Sequence, residues 1–179
     1  MKILLHTCCA NCAIYPVDRL RDAGHAVTGY FHNPNIHPYL EFRRRLDTLR
    51  EYAAMADLPV LYREDYQLAE FLGAVAADPA NRCGHCYRVR LAETAQVAAE
   101  KGYDGFTSTL LYSRFQKHEE IRLAGEDLAR RHGLTFIYED FRKGWNLGVA
   151  ESKRLGLYRQ QYCGCIYSEY DRYAPRPGK

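Results

Sequence analysis

Apolar residues recur along this chain with two alternating periods, and turn formers mark each switch between them. Lys2–Thr7 (KILLHT) is a short apolar run that predicts a strand and leads into the first cysteines. Tyr15–Ala23 predicts a helix stopped by Gly24, with Pro16 tolerated in its first turn. His25–Phe31 reads as a strand and His32–Pro38 as a loop of turn formers. A helix is expected from Tyr39 to Ala56, with Phe42, Leu46, Leu49 and Ala53 on one stripe and Arg43, Arg44 and Arg45 beside it. Pro59–Tyr62 is a third strand. Helices follow over Leu68–Ala77 and Cys83–Lys101, the second with Tyr87, Leu91, Ala95 and Ala98 on one face and Gly102 at its end. Gly105–Thr109 is a fourth strand, His118–His132 a helix ended by Gly133, and Leu134–Tyr138 a fifth strand. Beyond Gly144 the pattern loosens into a short helix around Leu147–Leu155 and a tyrosine-rich tail.

Strands alternating with helices predict an α/β fold, a parallel sheet of about five strands with right-handed crossovers and helices on both faces. With the common strand order 3-2-1-4-5, a ligand sits beyond the carboxyl ends of the first and fourth strands, where the order reverses. The first strand runs into Cys8, Cys9 and Cys12, and the fourth into Thr107, Ser108, Thr109, Tyr112 and Ser113.

Composition narrows this. The 179 residues, 47% hydrophobic and 26% charged, suit one α/β domain over 1–179, with 142–179 a C-terminal extension packed on it, and exclude a disordered chain. No apolar run approaches the ~18–20 residues of a membrane span. The apolar stretch before His6 is too short for a secretory signal, so a cytoplasmic location without a membrane partner is expected. Net charge is +3, but residues 142–179 hold eight Lys and Arg against three Asp and Glu, a balance of +5 that leaves −2 on the rest. That basic segment suits a polyanionic partner or a solvated surface.

Seven cysteines, Cys8, Cys9, Cys12, Cys83, Cys86, Cys163 and Cys165, change the picture more. Two C-x2-C pairs about 70 residues apart fit a zinc site or an iron–sulfur cluster. Closed tetrahedral zinc needs only four ligands, so the additional sulfur of adjacent Cys8 and Cys9 suggests a cluster plus a second metal or a reactive thiol. Both reach one centre only where the strand breaks into a loop. Cys163-Gly164-Cys165 closes a very small disulfide ring, which is easily reduced and suits a two-electron couple. No glycine-rich phosphate loop follows the first strand, and the seven histidines form no H-x3-H pattern. Two other function classes stay open: a zinc-binding nucleic-acid module without catalysis, and a thiol–disulfide oxidoreductase.

The stretches LLHTCCANCA, the C-x2-C of Cys83 and Cys86 opening a helix, FTSTLLYSRFQKH and YRQQYCGCIYSE together resemble the cobalamin-independent epoxyqueuosine reductase family, over about residues 2–169. The resemblance implies a Rossmann-like fold related to the PP-loop ATPases and reduction of epoxyqueuosine at the tRNA wobble position to queuosine. It implies that Cys8, Cys9, Cys83 and Cys86 hold a [4Fe-4S] cluster, that Cys12 holds an additional iron or other divalent metal, and that Cys163 and Cys165 form a redox-active pair. The implied partners are tRNA carrying epoxyqueuosine and an external electron donor. Arg43, Arg44, Arg45, Lys153, Arg154, Arg159, Arg172 and Arg176 are candidate phosphate contacts, and Tyr112, Lys117 and His118 candidate proton donors.

Overall fold

A computed structural model describes residues 1–175, so Arg176 and the end of the expected extension lie outside the described residues. The elements run β1 (Lys2–His6), α1 (Ala10–Asp22), β2 (Ala26–Phe31), α2 (Tyr39–Met55), β3 (Val60–Tyr62), α3 (Leu68–Val75) and α4 (Arg82–Glu100). They continue as β4 (Gly105–Ser108), α5 (His118–His132), β5 (Thr135–Phe136), α6 (Trp145–Arg154) and α7 (Ile166–Tyr173). The five strands are parallel and ordered β3-β2-β1-β4-β5, as expected. Right-handed crossovers put α1 and α2 on one face, where α6 joins α1, and pair α4 with α5 on the other.

Three elements depart from the sequence expectation. α1 begins at Ala10 rather than Tyr15, because Ala10, Ala13, Ile14, Val17 and Leu20 form one buried stripe that already starts inside the cysteine motif. Pro16 therefore lies in the second turn, where its missing N–H leaves the carbonyl of Cys12 without the usual helical donor. β5 shortens to Thr135–Phe136. The tyrosine-rich tail contains α7, which carries no buried residue and so showed no apolar stripe.

β1 is buried from Ile3 to His6 under helices on both sides, as a central parallel strand requires. Its last residue pairs with Tyr30 on one side and Ser108 on the other. The His6 ring bonds Ser108 Oγ at 2.9 Å through Nδ1 and approaches the carbonyl of His32 at 3.1 Å through Nε2. Burial holds this imidazole neutral, with a pKa of about 3. The chain then leaves the sheet, and Cys8 N–H donates to Thr109 Oγ1 at 3.1 Å. The reversal point between β1 and β4 is thus cross-linked by side chains immediately below the cysteines.

Away from that end, α5 closes on β5 because Gly125 has no side chain. A Cβ there would stand 2.5 Å from the ring of Phe136, which itself packs on Phe106 at 5.2 Å between centroids. In an open helix Gly→Ala gains up to about 1 kcal/mol. Gly125→Ala is instead expected to lower unfolding stability by roughly 1–3 kcal/mol through overpacking. Urea unfolding checks this, and an unchanged or raised midpoint would refute the close approach.

Candidate active site at the cysteine-lined cavity

A cavity of about 570 Å³ opens at the carboxyl end of β1 and β4, within the size range of small-molecule sites. Six of the seven cysteines line it: Cys8, Cys12, Cys83, Cys86, Cys163 and Cys165. Three stretches of chain supply them. The first is the break after β1 with the start of α1, where Cys9 caps the helix in an extended conformation. There Cys8 and Cys9 share a side, their sulfurs 3.7 Å apart, and the sulfurs of Cys8, Cys9 and Cys12 all lie within 4.8 Å of one another. Thr109 Oγ1 donates to Cys8 Sγ at 3.4 Å, and Gln160 Nε2 donates to Cys9 Sγ at 2.9 Å and Cys12 Sγ at 3.4 Å. Asn11 aims that amide by donating to Gln160 Oε1 at 2.8 Å.

α4 is the second source. Cys83, Cys86 and Arg90 are spaced i, i+3, i+7 and share one face. Arg90 is 2% exposed and donates to Cys86 Sγ at 3.0 Å and to the Cys86 carbonyl at 3.1 Å. Among the described residues it has no carboxylate partner.

The third stretch is Tyr158–Cys165. Arg45 is 1% exposed, and its guanidinium donates to the carbonyls of Cys163 at 2.8 Å and Tyr162 at 3.0 Å while its Nε donates to Glu41 at 2.7 Å. Tyr158 OH donates to the other Glu41 oxygen at 2.6 Å, and Tyr162 OH to the carbonyl of His37 at 2.6 Å. The N–H of His37 donates to the Gly164 carbonyl at 2.8 Å. Gly164 has φ +148°, and a Cβ there would sit 3.1–3.3 Å from Asn35, Ile36 and Arg45, so a side chain would be both strained and crowded. The clamp leaves Cys163 exposed, with Gln116 Nε2 donating to its sulfur at 3.2 Å. It leaves Cys165 buried in a small apolar cluster with Phe71, Val75 and Cys86.

The thiols differ electrostatically. Hydrogen bonds from Cys12 and Cys9 hold Cys8 well below the usual thiol range, and the same contact with Cys8 holds Cys12 well above it. Burial pushes Cys9 up as well, and Cys86 up to about 12. Among the three sulfurs, Cys8 is the one whose ionisation its neighbours favour. Burial works against the charge on Arg90, but Cys86, Cys163 and Cys8 more than offset it and its pKa is raised. A buried guanidinium with no carboxylate beside it calls for an anionic neighbour, and thiolates bound to a soft metal or cluster provide one. A single tetrahedral ion with bonds of ~2.3 Å needs its sulfurs within about 4 Å of one another. The trio approaches that spacing, and among the described residues Cys83 and Cys86 do not join it in so tight a group. A cluster that binds each thiolate to a different iron takes ligands from a wider circle. The trio could therefore hold a metal, and thiolates as donors suit zinc and an iron–sulfur cluster alike.

Other expected site residues fall elsewhere. Arg45 is no phosphate contact: it lies three residues after Phe42 on the buried stripe of α2 and is used up inside the fold. Arg43 pairs with Asp47 and Glu64, and the exposed Arg44 stacks over Tyr158 at 3.8 Å. Arg159 is half-buried and, among the described residues, forms no ion pair. Tyr112 OH donates to the carbonyl of Trp145 and Lys117 pairs with Glu120. Arg90, Gln116 and Gln160 were missed. Arg90 was findable from its i+4 spacing to Cys86; the two glutamines had no local signal.

Known proteins decide the family. The epoxyqueuosine reductase QueH family matches residues 3–171. The chain belongs to that family. It is 42% identical to the epoxyqueuosine reductase QueH of Dehalococcoides mccartyi, over 96% of this chain and 94% of the relative. It is 34% identical to that of Thermotoga maritima, over 95% and 91%. Its fold is shared with a Methanocaldococcus jannaschii protein described as a predicted subunit of tRNA methyltransferase, at TM-score 0.55 and 14% identity, over 86% of this chain and 76% of that one.

Replacing Arg45 with Met leaves Glu41 without its cationic partner, and one of its oxygens and two carbonyls without a donor. A loss of roughly 3–5 kcal/mol is expected, together with maleimide labelling of the buried Cys165 about tenfold faster or more, read by peptide mass spectrometry. Unchanged labelling of Cys165 would show that Arg45 does not hold this segment.

Proposed function

We propose that the cysteine-lined cavity is where this chain reduces epoxyqueuosine in tRNA to queuosine. Membership of the family makes the chain an oxidoreductase of queuosine biosynthesis. The observation that carries the assignment to this cavity is that cysteines from three distant stretches line it at the end of β1 and β4.

Converting the epoxide to an alkene breaks two C–O bonds, forms one C=C bond and releases water, consuming two electrons and two protons. We assign Cys8, Cys9, Cys83 and Cys86 to a [4Fe-4S] cluster and Cys12 to an additional iron or other divalent metal, which would supply single electrons and a Lewis acid for the epoxide oxygen. Cys163 and Cys165 match the demand of the reaction: joining their sulfurs in a disulfide gives up two electrons and two protons. The exposed Cys163 suits exchange with an external electron donor, which must return the pair to dithiol. Gln116 orients the Cys163 sulfur, and Gln160 supplies donors to Cys9 and Cys12. Arg90 keeps a fixed positive charge beside the thiols. Nothing in the arrangement favours a zinc module without catalysis, which would have no use for the clamped Cys163–Cys165 segment. No helix among the described residues is long and apolar enough to cross a membrane, and we place the reaction in the cytoplasm, where modified tRNA is found.

Epoxyqueuosine-containing tRNA, incubated with the anaerobically purified protein and a chemical reductant, should yield queuosine on nucleoside mass spectrometry. Changing Cys163 and Cys165 to Ser should keep the metal content and slow multiple turnover at least about tenfold. No queuosine from the wild type would overturn the function, and unchanged turnover by the variant would remove the dithiol from it.

A further inference from the structure

Among the described residues Phe115 is the most exposed large apolar side chain, at 82%. A lone exposed apolar side chain needs no explanation, but this one lines the mouth of the cysteine cavity together with Trp145. The two rings meet edge to face, centroids 6.5 Å apart and planes at 83°. Trp145 is immobilised from below: it stacks on buried Tyr112 at 5.3 Å, and Tyr112 OH donates to its carbonyl at 3.0 Å. Gly148 makes room for that contact, since a Cβ there would stand 2.3 Å from the Tyr112 oxygen. The guanidinium of Arg114 lies over Trp145 at 5.2 Å.

The segment bearing Phe115 is equally fixed. Ser113 Oγ accepts from the Phe115 N–H at 3.3 Å, and His118 Nε2 approaches the Ser113 carbonyl at 3.2 Å. Tyr87 OH donates to Gln116 Oε1 at 2.9 Å and accepts from the Lys117 N–H at 3.2 Å. Successive residues therefore face opposite ways: Gln116 reaches inward to Cys163, while Phe115 stands on the rim. A nucleotide whose base enters the cavity carries its chain neighbours across that rim. Unpaired bases bind by stacking on aromatic faces supported by arginine.

Resting on the tRNA reading above, we propose that Phe115, backed by Trp145 and Arg114, is a stacking platform for the anticodon-loop base next to the wobble nucleotide. Trp145 fixes the position of the Phe115 ring, and Arg114 adds charge for the adjoining phosphate. The platform tolerates any base identity, because every base offers a π face.

Fluorescence anisotropy with a labelled anticodon stem–loop RNA tests this independently of turnover. Phe115→Ala should weaken binding roughly 5- to 150-fold, and Phe115→Trp should restore it. An abasic site beside the wobble position should weaken wild-type binding comparably and add little to the Phe115→Ala loss, as expected of partners in one contact. Equal affinity of wild type and Phe115→Ala, or losses that simply multiply for abasic sites on both flanks, would overturn the platform. If wild type binds the hairpin with this dependence on Phe115 yet makes no queuosine, the platform stands and the catalytic reading fails.

Discussion

Arg45 donates to two consecutive carbonyls of the C-terminal segment and to Glu41 on its own helix, from a position that water does not reach. The C-terminal wall of the cavity depends on this node. Thiols at positions 8–12 and 83–86 line one cavity because β1 is flanked by β4 and α4 packs beneath both, which is ordinary sheet topology. Cys163 and Cys165 have no strand or sheet neighbour to place them. Their location rests on carbonyls pinned to Arg45 and His37, on Tyr158 and Tyr162 bonded to α2 and its preceding loop, and on a glycine whose conformation the contact demands. A buried arginine costs much desolvation, offset here by the Glu41 carboxylate and by a planar fork that fixes two adjacent carbonyls.

A second buried arginine gives the cavity its electrical character. Arg90 faces sulfur where a structural ion pair would face a carboxylate. Without a bound centre the burial of Cys9 and Cys86 opposes their ionisation, while hydrogen bonds from its neighbours favour that of Cys8. Such a site is poorly matched to remaining a set of free thiols and well matched to binding a cationic centre, which would release the thiol protons. The same positive charge would favour the more reduced, more negative state of a centre beside it.

Much of this was legible in the sequence, for identifiable reasons. The strands are short apolar runs bounded by Gly, Pro and Asn, and their alternation with helices leaves few topologies, so the strand order followed, and with it the cavity at its reversal point. The start of α1 did not, because alanines and cysteines form its first buried stripe and their apolar character is weak. The tail helix α7 was hidden for the opposite reason: nothing in it is buried, so no stripe exists to read. Arg45 looked like one of three surface arginines, although its spacing from Phe42 and Leu49 already put it on the inward face. Gln116 and Gln160 reach the sulfurs across 47 and 151 positions of chain, contacts that only the folded topology creates.

The central proposal is that thiols from separate stretches hold one multinuclear centre. Iron, zinc and acid-labile sulfide analysis of the anaerobically purified protein, with its absorption spectrum, tests it most directly when the Cys83→Ser/Cys86→Ser variant is measured alongside. A brown protein containing iron and sulfide, with absorbance near roughly 400 nm that the variant loses, is the predicted result. A colourless protein with one zinc and no sulfide, or a variant that keeps its iron and sulfide, would contradict it.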